Sequence, residues 1–189
     1  MKKIPTLFVR DMANDPKLVL NFVSPECHWV GLEEGVATRK YDGTCCMVRG
    51  MQLYKRYDAK QGRVPPVGFE PAQPDPDPTT GHWPGWLLVG GGPEDKHHRA
   101  AWQYVLDNRS TLADDTYELV GHAWGRNPEQ VYHAQFLRHG ATRLPDCPTS
   151  YDALREYLAE NVMEGIVWHH PDGRRAKVKA RDYGLRWPR

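Results

Sequence analysis

The 189-residue chain has no run approaching the ~20 consecutive apolar residues that a membrane-spanning helix requires, so a spanning helix is excluded at the outset and a soluble protein is expected. Its opening segment, "MKKIPTLFVRDMAND", carries charge without the long apolar core of a secretory leader. Four cysteines, Cys27, Cys45, Cys46 and Cys147, include no Cys-x-x-Cys pair, which removes the zinc-ribbon and thioredoxin-like readings and predicts a reducing, cytoplasmic setting. An excess of one charge is missing as well. Lys and Arg number 25 against 24 Asp and Glu, so a wholly basic coat for a polyanion is excluded and only a local basic groove remains open. The glycine cluster "GGGP" at 90–93 lacks the Gly-Lys-Ser/Thr ending of a phosphate loop, and reads as a strand-to-helix turn. A zinc site at His97-His98 or His169-His170 is not expected, since adjacent histidines rarely chelate one ion and those on a strand point to opposite faces.

What is present is enough apolar material for one sizeable core, with seven tryptophans and nine tyrosines that suit packing and base stacking equally. Segment 35–57, "GVATRKYDGTCCMVRGMQLYKRY", alternates around two turn signals, Asp42-Gly43 and Arg49-Gly50, and predicts strand, turn, strand, turn, strand. Residues 63–86 hold prolines at 65, 66, 71, 74, 76, 78 and 84, which cannot donate ladder hydrogen bonds and predict an irregular surface loop. "WLLVGGGP" predicts a short strand, "EDKHHRAAWQYVLDN" a helix, "TYELVGHAW" a strand and "TSYDALREYLAEN" an amphipathic helix. "EGIVWHH" and "RRAKVKARD" predict a hairpin around Pro171-Asp172-Gly173. The expected fold class is α+β, antiparallel strands with flanking helices, in one domain over residues 1–189.

Four pieces then fall in order along the chain: "KYDG" at 40–43, "YELVG" at 117–121, "EGIVW" at 164–168 and "KVK" at 177–179. Together they resemble the covalent nucleotidyltransferases, the superfamily of ATP-dependent polynucleotide ligases and mRNA capping enzymes, and the match covers nearly the whole chain. The resemblance implies an antiparallel-sheet, ATP-grasp-like adenylation domain in which Lys40 becomes bonded to the nucleoside monophosphate. It places the ribose on Glu118, with Arg56 preferred to Arg49 as the arginine that touches ribose or phosphate. The base would lie between Val167 and an aromatic residue, Phe136 or Tyr132, and the backbone around Thr38 and Arg39 would read its edge.

Elementary chemistry gives these residues work of that kind. A lysine attacks phosphorus only as the neutral amine, so it needs neighbours that weaken its hold on the proton. Lys177 and Lys179 alternate with Val178 on a predicted strand, so both ammonium groups face one way, toward Lys40 and the phosphate oxygens. One carboxylate, Glu164, is enough to hold Mg²⁺, with Mn²⁺ as the alternative ion, beside a phosphate oxygen. Gly43 allows close approach to the nucleotide, and Asp42 braces the turn through its own backbone.

Within the superfamily, capping enzymes and DNA ligases append an OB-fold domain after the paired lysines, and only "ARDYGLRWPR" follows Lys179 here. The run "ATRKYDGTCC" looks most like a compact group of RNA ligases, although many relatives have Glu where Arg39 stands. The expectation is therefore an ATP-dependent RNA ligase, monomeric, acting on RNA 5′-phosphate and 3′-hydroxyl ends with ATP and Mg²⁺. The alternatives are a nick-sealing DNA ligase, a capping-type guanylyltransferase, and a nucleotide- or RNA-binding module without turnover.

Overall fold

The computed structural model describes residues 1–78, 80–121 and 127–188. In chain order the strands are β1 (Phe8–Asp11), β2 (Asp15–Val23), β3 (Val36–Lys40), β4 (Thr44–Arg49), β5 (Gln52–Ala59), β6 (Glu70–Pro71), β7 (Trp83–Leu88), β8 (Asp115–Val120), β9 (Gln135–Arg138), β10 (Gly165–His169) and β11 (Arg175–Lys179). The helices are α1 (His28–Gly31), α2 (Lys96–Asp107) and α3 (Tyr151–Glu160). The molecule is thus mixed α and β, with antiparallel sheets and few helices. Among the described residues, no helix is long and apolar enough to cross a membrane. The chain divides into two compact units, one of residues 4–42 and 139–189, the other of residues 1–3 and 43–138.

In the first of these units, β3, β10 and β11 form an antiparallel sheet in the order β11-β10-β3. Strand alternation gives this sheet two unlike faces. Ala37, Ile166, Trp168, Ala176 and Val178 point into a core shared with Leu154 and Leu158 of α3, which lie one turn apart on that helix's inner stripe. Both sheet edges are occupied. The Leu7 N–H donates to the Lys177 carbonyl (2.7 Å) and the Lys177 N–H to the Pro5 carbonyl (3.0 Å), while on the far edge the Arg39 N–H donates to Thr142 and the Leu144 N–H to Ala37 (both 2.9 Å). A separate ribbon of β1 and β2, its register broken around Arg10, packs Phe8 and Val19 against the same core.

The other unit is a six-stranded antiparallel sheet, β6-β7-β5-β4-β8-β9, with α2 packed on it through Ala101. Strands β4 and β5 close a two-residue hairpin at Gly50 (φ 56°) and Met51 (φ 61°), the doubly left-handed turn that matches strand twist. Strand β7 begins at Trp83, so Pro84 and Gly85, expected in the proline-rich loop, belong to the sheet. Pro84 is tolerated because it serves there as an acceptor, its carbonyl taking the Ala72 N–H at 2.9 Å. Residues 122–124 of the predicted strand "TYELVGHAW" lie outside the described residues.

The two turns of segment 35–57 have different consequences. The second is the hairpin just described. The first, at 41–43, joins β3, which pairs with β10, to β4, which pairs with β5 and β8, so the "KYDG" corner links two sheets rather than closing one.

Candidate active site

The registers of β3, β10 and β11 fix which side chains share the outer face of their sheet. Gly165 lies opposite Lys40 on one side and Lys179 on the other; Val167 lies opposite Thr38 and Lys177; His169 lies opposite Val36 and Arg175. Lys40 and Lys179 therefore flank a position with no side chain. Gly165 cannot be anything else, since a Cβ there would overlap the Val178 carbonyl oxygen and stand 2.8 Å from the Lys179 Cα.

Glu164, one residue before β10, is the counter-charge at this end of the sheet. It is 2 % exposed. Its Oε2 accepts from the Lys40 Nζ at 2.5 Å and its Oε1 from the Lys179 Nζ at 2.8 Å, with the Arg181 Nη2 at 3.7 Å from the same Oε1. Burial alone would push the Glu164 carboxyl up, but Lys40 and Lys179 outweigh it and hold the group below the usual carboxylate range. Lys177 shows the opposite balance. Burial, then the charges of Lys179 and Lys40, bring its ammonium down to about 8. Glu164 thus lies among Lys40, Lys179 and Arg181, while Lys177 feels the buried Asp182 ahead of Glu164; the cations outnumber these two carboxylates, an excess of positive charge that suits a polyanionic ligand.

Several residues that no sequence motif marked hold this arrangement in place. Asp182 Oδ2 accepts the Lys179 N–H (2.8 Å) while its Oδ1 accepts from the Arg10 Nη2 (2.9 Å), fixing the end of β11. The Trp187 Nε1 donates to Asp42 Oδ2 at 2.8 Å across 145 residues of chain, so the Asp42 carboxylate is held by a side chain far along the sequence. Arg181 sits on a short 3-10 turn, Ala180–Tyr183, directly after Lys179, where a lone arginine among 25 basic residues carries no distinguishing signal.

The remaining candidates are accounted for one by one. The Thr38 hydroxyl donates to the Val167 carbonyl (2.9 Å), and the neighbouring Arg39 N–H is taken by Thr142, so the backbone here is already paired along β3. The Arg39 guanidinium lies 4.9 Å from the Tyr41 ring centre. In the unit of residues 43–138, the Glu118 carboxylate on β8 is buried and its Oε1 accepts the Gly43 N–H at 3.0 Å. A Cβ on Gly43 would overlap the Leu119 carbonyl oxygen and come within 3.1 Å of the Glu118 Cγ. Close approach of β8 therefore requires this glycine. The Arg56 guanidinium, preferred to Arg49, bonds Asp58 at 2.8 Å and the Met1 carbonyl at 2.5 Å, whereas Arg49 pairs with Glu70 on the surface. Phe136 packs edge-on against Trp102 and Tyr117, with ring centres 6.1 and 6.4 Å apart, at the margin of that unit's core. Tyr132 stands in solvent.

Comparison with known proteins converges on one group. A family model described as RNA ligase 1 matches residues 94–189, a stretch that includes Glu118, Glu164, Lys177 and Lys179. RNA ligase 1 of Rattus norvegicus is 25% identical over 266 residues, spanning 99% of this chain and 82% of that protein. RNA ligase 1 of Mus musculus is also 25% identical (99% and 81%), and that of Danio rerio 23% identical (99% and 82%), so Lys40 too falls within the aligned span. With its family's model matching half of its length, the chain belongs to the RNA ligase 1 family.

Proposed function

We propose that the chain is an ATP-dependent RNA ligase that seals a 5′-phosphate to a 3′-hydroxyl through an AMP bonded to Lys40, on a nucleotidyltransferase fold. The observation that carries this reading is the crowding of Lys40, Lys177 and Lys179 around one buried carboxylate, Glu164. In the first step the Lys40 amine attacks the α-phosphorus of ATP, a P–N bond forms, and the bond to the β-phosphate oxygen breaks as pyrophosphate leaves. An oxygen of the RNA 5′-phosphate then attacks the same phosphorus and the amine departs, giving RNA capped by AMP. Finally the 3′-hydroxyl attacks the RNA phosphorus, loses its proton and expels AMP. Positioning and charge stabilisation dominate such transfers, and the row of cations on the outer sheet face supports both.

The Lys40 Nζ lies against Glu164 Oε2, so attack by the neutral amine requires that Lys40 leave this carboxylate and give up a proton. Lys177 and Lys179 then hold the phosphate oxygens whose charge grows in the transition state. Once Lys40 leaves Glu164 Oε2, that oxygen would be open to a magnesium ion held by a single carboxylate. Glu164 is a hard, buried oxygen donor, and Mg²⁺ completes its shell with water and phosphate oxygens rather than a full protein cage. Glu164 would hold it, and it would neutralise charge on the phosphates. Among the other residues, the family pattern puts the ribose on Glu118 and Arg56, the base on Val167 and Phe136, and the base edge near Thr38 and Arg39.

A joining assay tests this reading. Purified protein with ATP and Mg²⁺ is expected to join RNA carrying a 5′-phosphate and a 3′-hydroxyl. GTP in place of ATP, or DNA in place of RNA, should reduce joining at least about tenfold. Equal use of GTP would favour guanylyl transfer, and equal sealing of nicked DNA a DNA ligase; RNA binding without any joining would point to a non-catalytic module.

A further inference from the structure

Most aromatic side chains near β8 and β9 turn inward, Trp102, Tyr117 and Phe136 among them, yet three rings of the same unit turn out and meet one another. Tyr132 is 85 % exposed and Tyr104 is 52 % exposed. The His133 ring contacts Tyr132 at 4.5 Å between centres and 82°, and lies against Tyr104 at 6.0 Å and 23°, a loose offset stack. Tyr104 comes from α2, and the other two rings come from the segment that leads into β9. That segment opens with a local turn, in which the Asn127 side chain donates to the Val131 carbonyl (2.7 Å) and accepts its N–H (3.1 Å). Ala134 and Phe136 fasten its other end to the core. Tyr104 is presented by a helix, and the other two rings by a segment tied down just after them.

The three rings cover one another only in part, and Tyr132 above all keeps its surface in water. A contiguous exposed aromatic group of this kind is a feature of binding surfaces. We propose that Tyr104, His133 and Tyr132 form a stacking platform for unpaired bases of a single-stranded RNA end. Single-stranded RNA is recognised by bases splayed onto aromatic faces, with cations following the backbone. Both parts are here. Lys96, Ala100 and Tyr104 lie at four-residue spacing on one face of α2, so Lys96 stands ~12 Å from Tyr104 along the helix, about two nucleotides of strand, with only a methyl group between. Residues 96–109 carry Lys96, Arg99 and Arg109 with Asp107; of the two carboxylates just before them, Asp95 is buried and paired with Lys55, leaving Glu94 on the surface. The neighbouring surface, Gln103, Asn108 and Gln135, is polar, which suits nucleotides better than the apolar centre of a protein interface.

The proposal rests on the RNA-joining reading for its occupant, but not on lysyl-AMP chemistry, and the test separates the two. Tyr104→Ser and Tyr132→Ser, singly and together, and the pair Tyr104→Phe with Tyr132→Phe, are compared with wild type at one fixed salt concentration. Fluorescence anisotropy with a labelled single-stranded RNA and with a duplex of the same sequence gives affinity; incubation with ATP and Mg²⁺ alone gives the rate of protein adenylylation. The double serine variant is expected to bind single-stranded RNA at least about tenfold more weakly, with duplex binding nearly unchanged and the phenylalanine pair near wild type. Adenylylation by the Tyr104→Ser single variant, whose residue has no part in the proposed ATP site, should proceed at the wild-type rate, and unchanged duplex binding with an unchanged melting temperature reports that the double variant is folded. Undiminished single-strand affinity overturns the platform, as does an equal loss for duplex. A fall in oligomeric state with RNA affinity intact also overturns it and assigns the rings to a protein interface. If wild type shows no adenylylation while the serine pair still loses single-strand affinity, the platform stands and the lysyl-AMP reading fails.

Discussion

Lys177→Met is expected to make the protein more stable while disabling it. Lys177 is packed beside Lys179 and Lys40, and its ammonium is brought down from 10.5 to about 8 by burial first and by those two charges next. The sign follows from proton counting. Below about pH 8 the group is charged in both folded and unfolded chains, and the folded chain bears the full cost of keeping it charged. Between about 8 and 10.5 the folded chain gives up the proton while the unfolded chain retains it, so stability of the wild type rises with pH; above 10.5 the cost is gone. A depression of this size corresponds to about 3 kcal/mol, or roughly 6–12 °C in melting temperature for a chain of this length. Methionine fills the same volume without charge. At pH 7 the variant should therefore melt well above wild type, and the gap should close as pH approaches 10.5. Taking the difference between the two proteins cancels titrations they share, such as Tyr183, whose hydroxyl burial pushes far up. A gap that is absent at pH 7, or constant with pH, contradicts the assignment. Joining activity should fall at least about 100-fold in the same variant, because a phosphate-holding cation is lost.

Glu164→Gln is expected to do the reverse to stability and the same to activity. The carboxylate binds Lys40 at 2.5 Å and Lys179 at 2.8 Å, and the amide keeps its shape while removing the negative charge that pairs with both. Breaking a buried pair from one side costs about 3–5 kcal/mol, because the surviving charges are left without compensation. Two controls identify the cause. Adding Lys177→Met should recover part of the loss, since one of the crowded cations is then gone, so the two substitutions should be measurably non-additive. The loss should also shrink at low pH: the Glu164 carboxyl is held below its ordinary value, its stabilisation is present above the unfolded value, and it disappears as pH falls through the folded one. Denaturant titrations at pH 7 and pH 4 measure both. Strict additivity at pH 7 would mean that Glu164 does not balance these lysines.

That Lys177 and Lys179 share one face of the sheet was legible in the sequence because it depends on strand alternation alone. Lys177, Val178 and Lys179 had to divide between two faces, and the hairpin into β10 brought Glu164 to the lysines. What could not be read was set by contacts distant in the chain. The bond from Trp187 to Asp42 joins positions with no shared motif, and Arg181 becomes a fourth cation only once a 3-10 turn folds it back to Glu164. Gly43 looked like a turn glycine or a gap for nucleotide, but a steric reason independent of both is the backbone of β8 pressed against it. The ribbon of β1 and β2 was missed because its broken register blurs the alternation that identifies strands. Proline content hid the start of β7, since Pro84 needs only its carbonyl there.

The central claim is that Lys40 is the nucleophile, and intact-protein mass spectrometry tests it most directly. After incubation with ATP and Mg²⁺, wild type should gain the mass of one adenylyl group, lost on adding pyrophosphate, and peptide mapping should place it on Lys40. Lys40→Ala should remain unmodified under the same conditions. An unmodified wild type, or an adduct of equal yield on the alanine variant, would contradict the account.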